Sequence, residues 1–270
     1  MTPPEHVRAV VHSRVPEITA VFWVLTTLAT TPGTTFAEYL DAHVGLGLKA
    51  TAYLMGALLI LALAAQFVTK RYTSGIYWAV VVLISVVGTL MTDVLVDVVG
   101  IPLWVSTVIL VALLALTFGV WFAREHTLSI SAIFTRRGEA FYWLAILLSF
   151  ALGTAAGELL MQGLGQGYLV GVVLFASLVG VVGAARFFFR ASAVGCFWVA
   201  YILTRPLGAT LGDLISQSPA DGGLGLGGAR TAAAFLIVIV ALAAYLGFTV
   251  SNARAVVEGR PPGTMPTVRP

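Results

Sequence analysis

The stretch YWAVVVLISVVGTLMTD, residues 77–93, decides the fold because it recurs, with substitutions, four times along the chain. In each copy a tryptophan is followed ten residues later by a glycine and fifteen residues later by an acid, without a gap. The three positions are Trp23, Trp78, Trp143 and Trp198; Gly33, Gly88, Gly153 and Gly208; and Glu38, Asp93, Glu158 and Asp213. The copies lie 55, 65 and 55 residues apart, which indicates a two-helix unit that was duplicated twice.

The composition is typical of a membrane protein. Apolar residues make up 59% of the chain and charged residues 10%, and the mean hydropathy is +0.97. Apolar runs such as 103–122 and 232–250 are long enough to cross a hydrocarbon core of about 30 Å at about 1.5 Å per residue. The single cysteine, Cys196, excludes an internal disulfide and a thiolate metal cluster. A net charge of +3 does not indicate nucleic-acid binding here, because loop position explains the basic residues better.

The pattern predicts an all-α integral membrane protein with eight transmembrane helices arranged as four hairpin repeats. The predicted spans are 16–43, 50–69, 76–99, 102–123, 139–164, 167–189, 193–218 and 229–251. We expect a leader at 1–15, a membrane half at 16–123, a connector at 124–138, a second half at 139–251 and a disordered tail at 252–270. Proline and glycine at 32 and 33 predict a kink or break in the first span.

The basic residues predict the orientation. Twelve of them fall on the side that holds both termini and the connections after the second, fourth and sixth spans, whereas only Lys49 and Arg230 fall on the other. The twelve are Arg8, Arg14, Lys70, Arg71, Arg124, Arg136, Arg137, Arg186, Arg190, Arg254, Arg260 and Arg269. The positive-inside rule therefore places both termini in the cytoplasm.

This orientation makes the four helices that carry the repeated motif parallel. We expect them to be related by a pseudo-fourfold or two-fold axis normal to the membrane, so that the four acids share one depth in its outer half. The repeated glycines predict close helix approach, because small residues four apart let helix backbones come together in lipid.

Four carboxylates in register predict a cation site. An ionised carboxylate within a span costs about 2.5–3.5 kcal/mol on insertion scales, so a compensating partner is expected. Carboxylates with threonine hydroxyls are hard oxygen ligands, suited to Mg²⁺, Mn²⁺, Ca²⁺ or protons. The metal ligands predicted are Glu38, Asp93, Glu158 and Asp213, with Thr34, Thr89 and Thr154 tuning the site. The alternative is that the acids are structural and lie in the wet outer interface.

Arg205 breaks the repeat, since Thr30, Ser85 and Phe150 occupy its position in the other copies. It precedes Asp213 by eight residues on the same helix face. We expect it to pair with a carboxylate or to line a wet cavity, either neutralising one acid of the site or forming a purely structural salt bridge.

No catalytic motif is present, so an enzyme is not predicted. Two hypotheses remain: a transporter or channel for a hard cation, with Mn²⁺ or Mg²⁺ first, and a non-transporting membrane scaffold or sensor. The predicted partners are the lipid bilayer and an inorganic cation; an oligomer is compatible with both hypotheses.

Four phrases resemble a bacterial family of multi-span proteins described as predicted membrane-anchored proteins. They are VPEITAVFW (15–23), TRRGEAFYWLAI (135–146), LGTAAGE (152–158) and YILTRPLGATLGD (201–213). The resemblance extends from Val15 to about Val250 and implies an integral bacterial membrane protein. Together with the cytoplasmic termini, this implies a multi-pass protein of the bacterial inner membrane. The resemblance implies no particular activity.

Overall fold

A computed structural model describes residues 15–31, 47–69, 72–133, 135–164 and 167–257. In this part of the chain the regular structure is entirely helical, with eight α-helices. They are α1 (Ala20–Leu28), α2 (Gly47–Val68), α3 (Ser74–Asp93), α4 (Leu103–Glu125), α5 (Arg136–Leu164), α6 (Tyr168–Phe188), α7 (Ala193–Ser216) and α8 (Gly228–Val257). The all-helical fold expected from the sequence is confirmed.

Seven of the described helices, α2 to α8, are long and apolar enough to span a membrane. The eighth expected span falls in the first repeat, where the structure describes α1 and then nothing from 32 to 46, so the count of eight stays a prediction. The expected leader, the Pro32–Gly33 break and most of the tail also lie outside the described residues. The observed bounds otherwise match the predicted ones within a few residues, except that α8 continues six residues beyond 251.

The helices divide into a central and a peripheral set. Buried residues make up 50%, 61% and 50% of the most apolar windows of α3, α5 and α7, but only 11–22% of those of α2, α4, α6 and α8. A helix that is apolar all round is stable only when lipid or protein surrounds it. The odd-numbered helices therefore form the protein core, and the even-numbered helices present most of their surface to lipid.

At one end of the bundle, eight aromatic side chains close the centre. Each residue that precedes a repeat tryptophan packs against the tryptophan of the next repeat, and the fourth repeat returns to the first. The ring centroids are 5.9 Å apart for Phe22–Trp78, 5.2 Å for Tyr77–Trp143, 6.4 Å for Tyr142–Trp198 and 5.6 Å for Phe197–Trp23. We call these eight residues the aromatic ring. Equivalent residues of neighbouring repeats meet here and meet again at the repeated glycines ten residues further on, so α1, α3, α5 and α7 run in the same direction.

Further along, small residues bring the same helices together. In three described interfaces the glycine ten residues after a tryptophan lies against the residue seven after the next tryptophan. The pairs are Gly88–Phe150, Gly153–Arg205 and Gly208–Thr30. A β-carbon on Gly153 would lie 2.6 Å from Arg205 Cβ, closer than side chains pack, so only glycine permits this approach. The fourth interface is represented by Ser85, whose hydroxyl donates to the Ala29 carbonyl across α1 and α3 at 2.8 Å.

Pro206 lies inside α7 without ending it. Proline has no N–H and so leaves the carbonyl four residues earlier, that of Ile202, without its helical partner. That carbonyl oxygen lies against Gly153, at 2.9 Å from where a β-carbon would stand. Helix α5 therefore covers the Ile202 carbonyl that Pro206 leaves without a helical partner. Membrane helices tolerate proline where a neighbouring helix packs against such a carbonyl.

The connection between the two halves is shorter and less polar than the expected connector at 124–138. It runs between Glu125 and Arg136, and its Ile130 and Ile133 are buried in the core. The Leu128 carbonyl accepts a hydrogen bond from the Trp198 indole N–H at 3.2 Å. This connection therefore closes the aromatic end of the bundle.

Candidate ion-binding cavity

A cavity of about 520 Å³ lies among the C-terminal halves of α3, α5 and α7, away from the aromatic ring. Its described lining combines acids, one base, hydroxyls and apolar side chains. The lining residues are Leu48, Thr89, Leu90, Asp93, Gly153, Thr154, Gly157, Glu158, Met161, Gln162, Tyr168, Arg205, Pro206, Ala209, Thr210 and Asp213.

Three of the four predicted acids line this cavity, each from a different helix. Asp93 is the last residue of α3 and is followed by a π-helical turn, Val94–Val98, a rare geometry that is frequent at functional sites. Glu158 lies two turns before the end of α5, and Asp213 one turn before the end of α7. Asp93 and Asp213 are half-buried, whereas Glu158 is exposed. Glu38, the fourth, lies outside the described residues.

Arg205 lies at the inner end of the cavity and is only 2% exposed. Its Nε donates to the Thr154 hydroxyl at 3.0 Å, one terminal nitrogen donates to the Thr30 carbonyl at 3.2 Å, and the other donates to the Thr89 hydroxyl. One side chain of the fourth repeat thus binds all three other repeats. The expectation that Arg205 lines a cavity agrees with this position, but these three bonds go to neutral oxygens, not to a carboxylate.

Hydrogen bonds within their own helices orient the Thr89 and Thr154 hydroxyls to accept from Arg205. Each hydroxyl donates to its own helix, Thr89 to the Ser85 carbonyl and Thr154 to the Phe150 carbonyl, both at 3.1 Å. Each oxygen then accepts from the guanidinium, so one lone pair remains on each hydroxyl. Both residues therefore orient Arg205, and contribute at most one further acceptor each to the cavity. Thr34 and Gly33, the corresponding residues of the first repeat, lie outside the described part.

Beyond Arg205 the bundle centre is filled. The Phe150 ring lies 5.8 Å from the guanidinium carbon and 5.9 Å from the Tyr201 ring. Tyr201 in turn packs on Phe197 of the aromatic ring, with centroids 5.7 Å apart. These side chains are all buried. The cavity therefore ends at Arg205, and no continuous passage is formed through the described part of the bundle centre.

The predicted four-acid metal site is not tested by the described part of the chain, because Glu38 lies outside it. No group of three or more histidine, cysteine, aspartate or glutamate side chains is close enough there to hold a metal ion directly. Asp93 and Asp213 each have a further interaction partner, so they are not isolated charges. The four-carboxylate site that includes Glu38 stays a prediction.

Several lining residues were not singled out from the sequence. Tyr168, Met161 and Gln162 come from the α5–α6 turn region, and no repeat motif marks them. Glu139 was also missed: its side chain is 1% exposed near the start of α5, where it accepts a hydrogen bond from Gln66 at 3.2 Å. An acid just ahead of an apolar span was the signal that could have drawn attention to it.

Comparison with known families gives one result. A family model described as Repeat of Unknown Function (DUF347) matches four times, at residues 21–72, 76–127, 141–192 and 196–251. The four matches begin two residues before the four repeat tryptophans, so they have the register found in the sequence. No curated protein and no solved structure matches the chain. Since the four matches cover most of the sequence, the chain belongs to the family built from this repeat.

Proposed function

We propose that the protein is a membrane transporter for a cation, which it binds in the cavity beside Arg205. The observation that supports this function is that Asp93, Glu158 and Asp213 line one cavity from equivalent positions on three helices. Carboxylates within membrane spans are costly and commonly mark ion or substrate pathways. Three of them at one depth are therefore better explained by a positively charged substrate than by packing.

The charge of the cavity favours a divalent ion among inorganic cations. Three carboxylates and one guanidinium leave a formal charge of −2 among the described lining residues. Mn²⁺ or Mg²⁺ would balance it, with Ca²⁺ as the next choice. Because no three described acids form a direct ligand set, the ion would keep part of its water shell, as Mg²⁺ commonly does.

We further infer a pseudo-fourfold arrangement about an axis normal to the membrane. Its support is the aromatic ring, which repeats one contact four times, and the three equivalent glycine interfaces. The positive-inside rule would place the aromatic ring toward the cytoplasm, since Arg124, Arg136 and Arg186 flank that end. The cavity would then open to the cell exterior.

A carrier is favoured over an open channel. In the part of the bundle that the structure describes, Arg205 and then buried aromatic side chains close the centre, so a cation in the cavity would have no aqueous path through these residues to the other side. Transport would therefore require movement of the repeats relative to one another.

The test is a calorimetric titration of Mn²⁺ into purified protein. A Glu158→Gln/Asp213→Asn variant should bind Mn²⁺ at least about ten-fold more weakly, because each removed carboxylate takes away a charge-assisted contact of about 1.5–3 kcal/mol. Lowering the pH should weaken wild-type binding, since protons compete for the same oxygens.

The matched control removes the same two charges elsewhere. Glu17 and Asp221 are exposed and outside the cavity, so Glu17→Gln/Asp221→Asn should bind Mn²⁺ like the wild type. Equal binding by all three proteins would rule out the cavity as the Mn²⁺ site. In that case the scaffold or sensor function would be the better explanation of the acids.

A further inference from the structure

The cavity is larger than a hydrated metal ion requires. Six waters at about 30 Å³ each occupy about 180 Å³, whereas the cavity measures about 520 Å³. That volume lies within the usual range of about 300–1,000 Å³ for sites that bind small organic molecules. A single ion with its first water shell would leave more than half of the space unfilled.

The wall is also unlike that of a simple ion site. Leu48, Leu90, Met161, Pro206 and Ala209 give the cavity an extensive apolar surface beside the three acids. A metal ion gains nothing from such groups, whereas the carbon chain of an organic solute is desolvated favourably against them. The lining therefore matches a solute with a charged end and an apolar body.

At the inner end of the cavity, Arg205 provides a positive charge that could bind an anionic group of the ligand. A guanidinium has five N–H donors, and Arg205 directs three of them to described protein oxygens. Within the described part of the chain, one donor on each terminal nitrogen is left without an acceptor, on a guanidinium that is 2% exposed and lines the cavity. Paired N–H donors of arginine match the two oxygens of a carboxylate or phosphate group.

From these three observations we propose that the substrate is a small organic zwitterion. Its ammonium group binds among Asp93, Glu158 and Asp213, its oxyanion binds the remaining N–H donors of Arg205, and its carbon chain lies along the apolar wall. This inference rests on the proposed transporter function and on the same cavity. It replaces the metal ion by an ammonium group whose counter-charge is carried on the same, overall neutral molecule.

The experiment compares three ligands of one carbon skeleton: 4-aminobutanoate, butylammonium and butanoate, with Mn²⁺ as a fourth. Shorter and longer ω-amino acids, each with its matched amine, vary the distance between the two charges. Binding to full-length protein is measured by calorimetry and by the shift in melting temperature, which rises when a ligand binds only the folded state. At least one ω-amino acid should bind about ten-fold or more tightly than its matched amine, because the Arg205 contact adds a charged hydrogen bond.

Arg205→Gln should remove this advantage while leaving the affinity for the amine equal or higher. If that variant does not fold, Arg205→Lys keeps the charge but loses the paired donors, and should reduce the advantage instead. An amine that binds as tightly as every amino acid of the series refutes the zwitterion and leaves the cation site standing. Binding of Mn²⁺ alone refutes the zwitterion in favour of a metal ion, and no binding of Mn²⁺ or of any amine or amino acid of the series refutes both proposals.

Discussion

Replacing Gly153 by alanine tests how tightly the repeats are held around Arg205. The new β-carbon would lie 2.6 Å from Arg205 Cβ, 2.8 Å from its Cγ and 2.9 Å from the Ile202 carbonyl oxygen. The atoms it meets are the stem of a buried side chain and a backbone oxygen, so α5 and α7 must separate. We expect the separation to break the 3.0 Å hydrogen bond from Arg205 to Thr154 as well.

The expected change in the free energy of unfolding combines two destabilising effects and one stabilising effect. Overpacking costs about 1–3 kcal/mol, and losing a hydrogen bond to a charged group costs about 1.5–3 kcal/mol. Alanine favours a helix over glycine by about 1 kcal/mol. The net destabilisation should therefore be about 1.5–5 kcal/mol, measured as the loss of free energy of unfolding in detergent or as a lowered melting temperature.

Gly180 provides the matched control, because it lies within α6 and a β-carbon there would meet no atom within 4 Å. Gly180→Ala should leave stability unchanged or raise it by up to about 1 kcal/mol. If Gly153→Ala were as stable as Gly180→Ala, α5 and α7 would not be in contact at this point. The reasoning about Arg205 and the repeated glycines would then be refuted.

Three further results are expected. Thr89→Val should destabilise the protein by about 1.5–3 kcal/mol, because it leaves a guanidinium N–H without its acceptor; unchanged unfolding in denaturant would contradict that bond. Trp198→Phe should cost about 0.5–1.5 kcal/mol more than Trp143→Phe, since only the first indole N–H has a hydrogen-bond partner, and equal melting temperatures would argue against it. In a variant lacking the native cysteine, Ala209→Cys should react with a water-soluble thiol reagent added outside the cell, whereas Ala200→Cys, buried in the same helix, should not. Labelling of Ala209→Cys only from the cytoplasm would reverse the orientation.

Much of the fold follows from the sequence because the repeat carries its own register. A tryptophan, a glycine and an acid at fixed spacing fix which helices are equivalent, and the charge bias then makes them parallel. The structure adds why the spacing exists. Each tryptophan packs on the residue that precedes the tryptophan of the previous repeat, as Trp143 does on Tyr77. Each described glycine of the motif contacts the residue seven positions after the tryptophan of the next repeat, as Gly153 does with Arg205. Both motif positions therefore serve contacts between neighbouring repeats.

The site was harder to predict, since its key contacts join residues far apart in sequence. The repeated motif predicted Asp93, Glu158 and Asp213 as site residues. It did not predict that Arg205 would donate to the Thr30 carbonyl of the first repeat, 175 residues away. The volume and the apolar wall of the cavity depend on the distances between the C-terminal ends of α3, α5 and α7. Spacing within a single helix does not encode that separation.

The most direct test of the central claim is transport into liposomes that contain the purified protein. Uptake of radiolabelled 4-aminobutanoate and of ⁵⁴Mn²⁺ would be followed for the wild type, Glu158→Gln/Asp213→Asn and Glu17→Gln/Asp221→Asn. We expect uptake of at least one of these solutes by the wild type and by the exposed-charge control Glu17→Gln/Asp221→Asn, and loss of that uptake in Glu158→Gln/Asp213→Asn. Uptake that persists in the cavity variant, or no uptake of either solute by folded wild-type protein, would contradict the claim that these carboxylates form a transport site.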